Sequence, residues 1–280
     1  MKRGLEMTGL DLPPAVFSIL SDLIEETFGL HYGLQDRDIL RDKASARALE
    51  AGFGSLLDYY YYLRYDPGGE AELAELAEAL VVGETYFFRE WSAVRVLVDS
   101  FVAPWIADGR RPRIWSAACA TGEEPLSLAM LLDARGLLDQ TRLVATDISA
   151  RALERAQRGR FGRRAVRSVP EPMLEARYLR PTNDGHSVPS RIIESIDWGR
   201  CNLMCDDEVA ALGSFDAILC RNVLIYFAEQ TVRGVLDRLR GALIADGVLL
   251  VGVSESLLRY GSGFMGEEHG GAFVYRKGEA

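Results

Sequence analysis

From about residue 92 onward the 280-residue chain alternates helix-patterned with strand-patterned runs, and this alternation limits its fold more than any other feature. "AVRVLVDSFVAPWIADG", "PLSLAMLLDARG", "ARALERAQRG" and "EQTVRGVLDRLRGALIADG" carry helical spacing of apolar residues. Between them, "RIWSAAC", "RLVATDI" and "VLLVGVSE" are short apolar runs of strand length, and "FDAILCRNVLIYF" is a strand leaving into a loop. Such an order predicts right-handed crossovers and a doubly wound α/β fold, a mostly parallel sheet with helices on both faces. Ligands in these folds bind beyond the carboxyl ends of the strands. The chain closes on "GGAFVYRKG", expected as a final strand.

Two regions depart from the alternation. Residues 13–82 read as helical throughout: "PPAVFSILSDLIEETFG" starts on prolines and stops on glycine, "QDRDILRDKASARALEAG" follows, "SLLDYYYYLRYD" is capped by Ser55, and "AELAELAEALVV" comes after Pro67-Gly68-Gly69. A small all-helical domain is therefore expected over 1–82, then a linker over 83–91, then the α/β domain over 92–280. Within the last, residues 161–200 hold four prolines and seven arginines around a turn signal at Asn183-Asp184-Gly185, which reads as a small antiparallel β insertion.

Composition excludes several functions. A net charge of -9 gives the molecule no overall electrostatic attraction to nucleic acid or to an anionic membrane. No apolar run reaches the roughly 18–20 residues of a membrane span, and "MKRGLEMTGLDLPPAVF" lacks the apolar core of a signal peptide, so a cytoplasmic location is expected. Cys119, Cys201, Cys205 and Cys220 have no pattern of a tetrahedral zinc site and read as structural thiols, so no metal is expected. His31, His186 and His269 lie in no motif with a nucleophile, which argues against a hydrolase triad.

The loop "IWSAACATGEEP", residues 114–125, stands where such folds keep a cofactor loop, yet it has one glycine and two carboxylates. Pro125 suits the first turn of a helix, and Glu123 and Glu124 are stabilised by the positive end of its dipole. The small residues from Ser116 to Gly122 allow close backbone approach, and a carboxylate there suits an ammonium group. The next strand ends in "VATDIS", placing Asp147 where nucleotide-binding sheets grip ribose hydroxyls. Alternatively, Asp147 or Ser149 caps the following helix. Together these features favour an adenosine cofactor; without G-x-G-x-x-G, a pyrophosphate and a nicotinamide oxidoreductase are the weaker reading.

Five segments in order carry a more specific signal: "ETYFFRE" (84–90), "SAACATGEEPLSLA" (116–129), "ATDIS" (145–149), "FDAILCRNVLIYF" (215–227) and "LLVGVSESL" (249–257). With them the chain resembles the CheR-type protein-glutamate O-methyltransferases that modify bacterial chemotaxis receptors, over nearly its whole length. The resemblance implies a Rossmann-like class I methyltransferase fold, S-adenosylmethionine as donor, S-adenosylhomocysteine as product, and a receptor glutamate or that of a related signalling protein as acceptor. By the same resemblance Thr85 and Arg89 would touch the donor from the linker, Glu124 its amino group and Asp147 its ribose. Asn202 and Leu203 would flank the adenine, Arg221 and Asn222 would lie beside the methionine portion, and Tyr226 would border the transferred methyl, with Arg89 and Tyr226 the catalytic residues. Each has a plainer alternative: Arg89 an ion-paired surface residue, Tyr226 a core aromatic. Which of Glu123 and Glu124 meets the donor stays open.

The implied chemistry needs no general base, since a glutamate with a pKa of about 4.3 is ionised at neutral pH. Two positions depart from the family's usual pattern: Gly83 stands for a common Asn and Val253 for a common His. The second helix, basic in relatives, here interleaves Arg37, Arg41, Lys43 and Arg47 with Asp36, Asp38 and Asp42, leaving a narrow stripe from Arg37 to Arg41. The alternative to an enzyme is a catalytically silent module that binds the donor or its product within a chemosensory pathway.

Overall fold

A computed structural model describes residues 9–167 and 170–278. Residues 1–8 of the expected helical domain, 168–169 of the expected insertion, and 279–280 lie outside the described residues. Two compact units are present: one comprises the described chain up to Val82 joined by Tyr226–Ala228, the other Gly83–Ile225 with Glu229–Ala280.

The first unit is a set of four helices, α1 (Pro14–Phe28), α2 (Arg37–Glu50), α3 (Leu56–Tyr65) and α4 (Gly69–Leu80). Leu20, Ile24, Leu40, Leu56, Leu76 and Leu80 are fully buried at the helical spacings that the sequence shows. Ser55 caps α3 through the N–H groups of Leu57 and Asp58, and Gly29 ends α1 in the left-handed conformation at φ 78°. A polar hub stands inside: Arg47 donates to both carboxylate oxygens of Glu72 at 2.6 and 2.7 Å, and the Tyr59 hydroxyl donates to the same group at 2.7 Å. The cations of α2 are thus committed within the unit. Lys43 donates to the Leu80 carbonyl at 2.7 Å, Arg37 to the Leu12 carbonyl at 3.0 Å, and Arg41 pairs with Asp38 and Asp42 at 2.9 and 3.0 Å. Of the expected stripe, Arg41 is paired with Asp38 and Asp42 at the surface, whereas Arg37 bonds a carbonyl and keeps its charge uncompensated by that contact.

The second unit is built on a seven-stranded sheet. In chain order its ten strands, three of which form a separate small sheet, are β1 (Arg113–Ala117), β2 (Arg142–Asp147), β3 (Arg160–Gly162), β4 (Arg180–Thr182), β5 (Gly185–Ser187), β6 (Ile196–Arg200), β7 (Phe215–Cys220), β8 (Leu243–Leu250), β9 (Phe264–His269) and β10 (Ala272–Lys277). The large sheet has the order β6-β2-β1-β7-β8-β10-β9, and β10 alone runs against the direction of the other six strands. Here α5 (Trp91–Val96) continues through a wider π turn over Leu97–Val102 into α6 (Ala103–Ala107). Pro104 lacks an N–H at that point and interrupts the ladder. The remaining helices are α7 (Glu123–Ala134), α8 (Ala150–Arg158), α9 (Pro172–Tyr178), α10 (Ser190–Ile193), α11 (Asp206–Ala211) and α12 (Glu229–Ala242). The central strands are buried on both faces: Ile114, Trp115, Ala217, Ile218 and Leu219 are all 0% exposed. Trp115 still satisfies its indole N–H on Thr146 Oγ1 at 2.9 Å and stacks on Phe215.

The small sheet, β3-β5-β4, is antiparallel and turns at Asn183 and Asp184. It ends earlier than the expected span of 161–200, because Ile196–Arg200 is a parallel edge strand of the large sheet, in register from Leu143↔Ile196 to Asp147↔Arg200. Asp133 on α7 fastens this region: Arg191 reaches its two oxygens at 2.5 and 2.7 Å, and Arg177 and the Tyr178 hydroxyl bond it as well.

Candidate active site

The loop after β1 holds its shape through backbone strain anchored by side chains. Ala118, Ala120 and Gly122 have φ of 57°, 48° and 89°, and the first two are rare angles for residues with a Cβ. Asp147, at the end of β2 and 8% exposed, accepts the Ala120 N–H at 2.8 Å on one oxygen and the Ser149 N–H at 2.9 Å on the other. Its neighbour Ser149 caps α8 through the Ala152 N–H at 2.9 Å. Of the two capping candidates, Ser149 is the one that caps α8, and Asp147 ties the loop after β1 to the end of β2. A carboxylate oxygen accepts more than one hydrogen bond, so these contacts do not exhaust Asp147.

Two adjacent glutamates start α7 and have different fates. Glu123 is 4% exposed and accepts from the Thr121 hydroxyl at 2.7 Å; burial pushes its carboxyl above the ordinary range. Glu124 accepts from Ser116 Oγ at 2.6 Å and pairs with Arg221 at 2.9 Å. Only Glu124 joins the charged cluster at the carboxyl ends of β1 and β7.

Arg221 is the centre of that cluster. Its side chain is 1% exposed and lies between Glu124 and Glu90, the latter at 3.1 Å, and it also donates to the Arg89 carbonyl at 2.8 Å. Glu90 in turn accepts from the Asn222 amide at 3.0 Å and from the Val253 N–H at 3.2 Å. Burial alone would raise the Glu90 carboxyl, but the Arg221 charge and the hydrogen bonds from Asn222, Arg221 and Val253 outweigh it and leave the group below its ordinary value. Asn222 stands at φ 61°, its N–H held at 2.7 Å by Glu255, which also takes the Gly252 N–H at 2.7 Å. Glu255 is 5% exposed, and burial raises its carboxyl against the hydrogen bonds that hold it down.

The linker closes one side. Phe88, at φ 62°, donates its N–H to Ser127 Oγ at 3.0 Å, and Phe87 donates its N–H to the Ala165 carbonyl at 2.8 Å. The guanidinium of Arg89 bonds the Glu84 carbonyl at 3.0 Å and stands 5.6 Å over the Tyr86 ring, so this side chain lies outside the bonded cluster while its carbonyl belongs to it. Thr85 is half-buried in the same segment. At the other side, Cys201 donates its N–H to the Asp147 carbonyl at 3.1 Å, which carries Asn202 and the buried Leu203 past the end of β6. Asn202 folds back to accept the Met204 N–H at 3.0 Å and gives its own N–H to Glu208 at 2.7 Å. Tyr226 ends the short turn Leu224–Tyr226 and groups with the helical unit, where its carbonyl accepts the His31 N–H at 2.9 Å.

Of the residues singled out from sequence, Glu124, Arg221 and Asn222 thus join one network at the ends of β1 and β7, and Asp147 anchors the loop after β1 from the end of the adjacent strand β2. The structure adds Glu90, Ser116, Ser127 and Glu255. Their only sequence signal was membership of the motif segments, since no local spacing connects Glu90 with Arg221 or Glu255 with Asn222.

Residues 83–265 match the family model described as "CheR methyltransferase, SAM binding domain". The chain belongs to the CheR methyltransferase family. Chemotaxis protein methyltransferase 2 of Vibrio cholerae is 36% identical over 215 residues, covering 75% of this chain and 74% of its own. Chemotaxis protein methyltransferase 1 of Pseudomonas aeruginosa is 32% identical over 252 residues, covering 87% and 90%. The Vibrio parahaemolyticus chemotaxis protein methyltransferase is 32% identical over 258 residues, covering 90% and 92%.

This CheR-family chain is an S-adenosylmethionine-dependent methyltransferase, and the residues present fit that donor. The acidic groups suit a molecule that carries an ammonium, a sulfonium and neutral ribose hydroxyls. Gly122 keeps the loop narrow: a Cβ there would stand 2.6 Å from the Ala156 Cβ and 2.9 Å from the Trp198 ring. No helix among the described residues is long and apolar enough to cross a membrane.

Proposed function

We propose that the chain transfers the methyl group of S-adenosylmethionine to the side-chain carboxylate of a glutamate in a chemotaxis-type receptor, working in the cytoplasm. The observation that carries this reading is the network of Glu124, Arg221, Glu90 and Asn222 at the carboxyl ends of β1 and β7, with Asp147 anchoring the loop after β1 from the end of the adjacent β2. The donor supplies an electrophilic methyl on a cationic sulfur. Glu124 is assigned its ammonium and Asp147 its ribose hydroxyls, with Asn202 and Leu203 flanking the adenine and Thr85 and Arg89 contacting it from the linker. Arg221 and Asn222 fix the methionine end.

The acceptor carboxylate arrives ionised, so the protein's task is to align it with the methyl and to exclude water. Arg89 and Tyr226 are assigned to that alignment. The Arg89 guanidinium, stacked on Tyr86 and bonded to one carbonyl, has further N–H donors to orient a carboxylate. Esterification removes one negative charge per event from the receptor, which lowers like-charge repulsion along a helix face.

Labelled methyl transfer to receptor-bearing membranes, released as methanol by mild base, tests the proposal. Donor binding without base-labile transfer to any receptor would instead favour the silent binding module.

A further inference from the structure

We infer that Glu90 is a positioning residue of the donor site whose charge, by offsetting Arg221, lets Glu124 act as an uncompensated anion toward the cationic sulfonium donor. The inference rests on the donor assignment given above.

Arg221 is committed to the interior, with its side chain 1% exposed and one guanidinium nitrogen on each of two carboxylates. Were Glu124 its sole partner, that pair would be neutral, and the first turn of α7 would present a dipole rather than a charge to the ligand. Glu90 changes the sum. With one cation and two carboxylates the cluster carries a net single negative charge, and Asp147 lies at the end of the adjacent strand β2. Glu90 also sets geometry: it stands at φ 47°, takes the Val253 N–H, and holds the Asn222 side chain at 3.0 Å. Val253 enters through its backbone, and its side chain is 84% exposed. Replacement of the family's common His at this position therefore leaves the contact to Glu90 intact.

Donor and product distinguish charge from shape. S-Adenosylmethionine and S-adenosylhomocysteine share the adenosine and the zwitterionic amino-acid end, but only the donor carries the sulfonium charge. A change in the cluster's charge acts mainly on the donor, whereas a distorted pocket weakens both.

Calorimetric affinities for the two ligands provide the test, with no turnover required. In Glu90→Gln the donor is expected to bind about tenfold more weakly and the product less than about threefold, the size of effect for one charge at short range under partial screening. Glu90→Asp keeps the charge and should retain the wild-type ratio of the two affinities even if both weaken. Arg221→Gln moves the charge the other way and is expected to raise that ratio; it serves as the deciding variant if Glu90→Gln does not fold. Equal weakening of donor and product by Glu90→Gln, or a lower ratio in Arg221→Gln, would overturn the inference. Failure of the wild-type protein to bind either ligand would instead defeat the donor assignment.

Discussion

Gly122→Ala probes the loop after β1, which is assigned above to the donor. At φ 89° an L-residue is strained by about 1–2 kcal/mol. The added Cβ would stand 2.6 Å from the Ala156 Cβ and 2.9 Å from the Trp198 ring, where carbon contacts normally rest at about 3.5–4.0 Å. Relief requires moving α8 or the indole, and overpacking of this kind costs about 1–3 kcal/mol. The expected loss is about 2–5 kcal/mol in all. Gly52→Ala is a matched control: Gly52 has the same φ of 89°, yet a Cβ there meets nothing within 4 Å. It should lose only the conformational part, so the difference between the two variants isolates the steric contribution at about 1–3 kcal/mol. Urea unfolding gives both values, and calorimetry with S-adenosylhomocysteine should show weakened binding in Gly122→Ala alone, because the Ala120 N–H on Asp147 depends on the loop's course. A Gly122→Ala loss no larger than that of Gly52→Ala, with product affinity unchanged, would refute the reasoning.

Three other perturbations act on separate parts of the second unit. Asp147→Ala should weaken donor and product alike by more than about tenfold, since it removes a charge-assisted acceptor and frees the Ala120 and Ser149 N–H groups; unchanged affinities by calorimetry would leave Asp147 a purely structural joint. Asp133 is held at a pKa of about 2, below its ordinary 3.8, chiefly by the hydrogen bonds of Arg191. A lowered folded-state value means that the pairing stabilises above pH 3.8 and is lost as pH falls toward about 2, so Asp133→Asn should flatten that part of the acid-unfolding curve, followed by fluorescence, and an unaltered curve would contradict it. Glu255→Gln places an amide donor among the N–H groups of Asn222 and Gly252 and should cost about 1–3 kcal/mol, with a fall in product affinity; thermal denaturation showing no loss would remove Glu255 as organiser of that loop.

What the sequence disclosed and what it hid follow from burial. The central strands β1, β2 and β7 announce themselves through short apolar runs buried on both faces, and β8 does so only from Val248, since residues 243–247 read from sequence as the end of the preceding helix. The edge strands β6 and β9 do not: in "IDWGR" only Ile196 is buried, and "FMGEEH" has no fully buried residue, so neither shows an apolar run. That is why Ile196–Arg200 reads from sequence as part of the insertion. Asp147 and the pair Glu123 and Glu124 were legible by position because strand ends and helix starts follow local rules, but which of the two glutamates joins Arg221 was not. Glu90, 131 positions from Arg221, follows none, and the pairing exists only once β7 has brought its end beside the linker. The other cations of α2 were illegible in a similar way, since the sequence carries no record that Arg47 meets Glu72 or that Lys43 meets the Leu80 carbonyl.

Five residues with a Cβ have positive φ among the described residues, Phe88, Glu90, Ala118, Ala120 and Asn222, and all lie in the linker or in the loops after β1 and β7. Such angles cost about 1–3 kcal/mol each and persist only where surroundings fix them. Here a polar side chain fixes three of them through the strained residue's own N–H: Ser127 at Phe88, Asp147 at Ala120, Glu255 at Asn222. This explains an acidic loop with one glycine. Glycine would reach the same angles without resistance, but it would also leave them as readily. Residues that need an anchor give a backbone that is already in place when the ligand arrives, so little ordering remains to oppose binding. It follows that truncating Asp147 or Glu255 disturbs backbone and ligand together. Glu90 differs because Gln removes its charge while keeping an acceptor for Asn222; its amide then faces the Val253 N–H and Arg221, so the charge-preserving Glu90→Asp beside it is what separates electrostatics from shape.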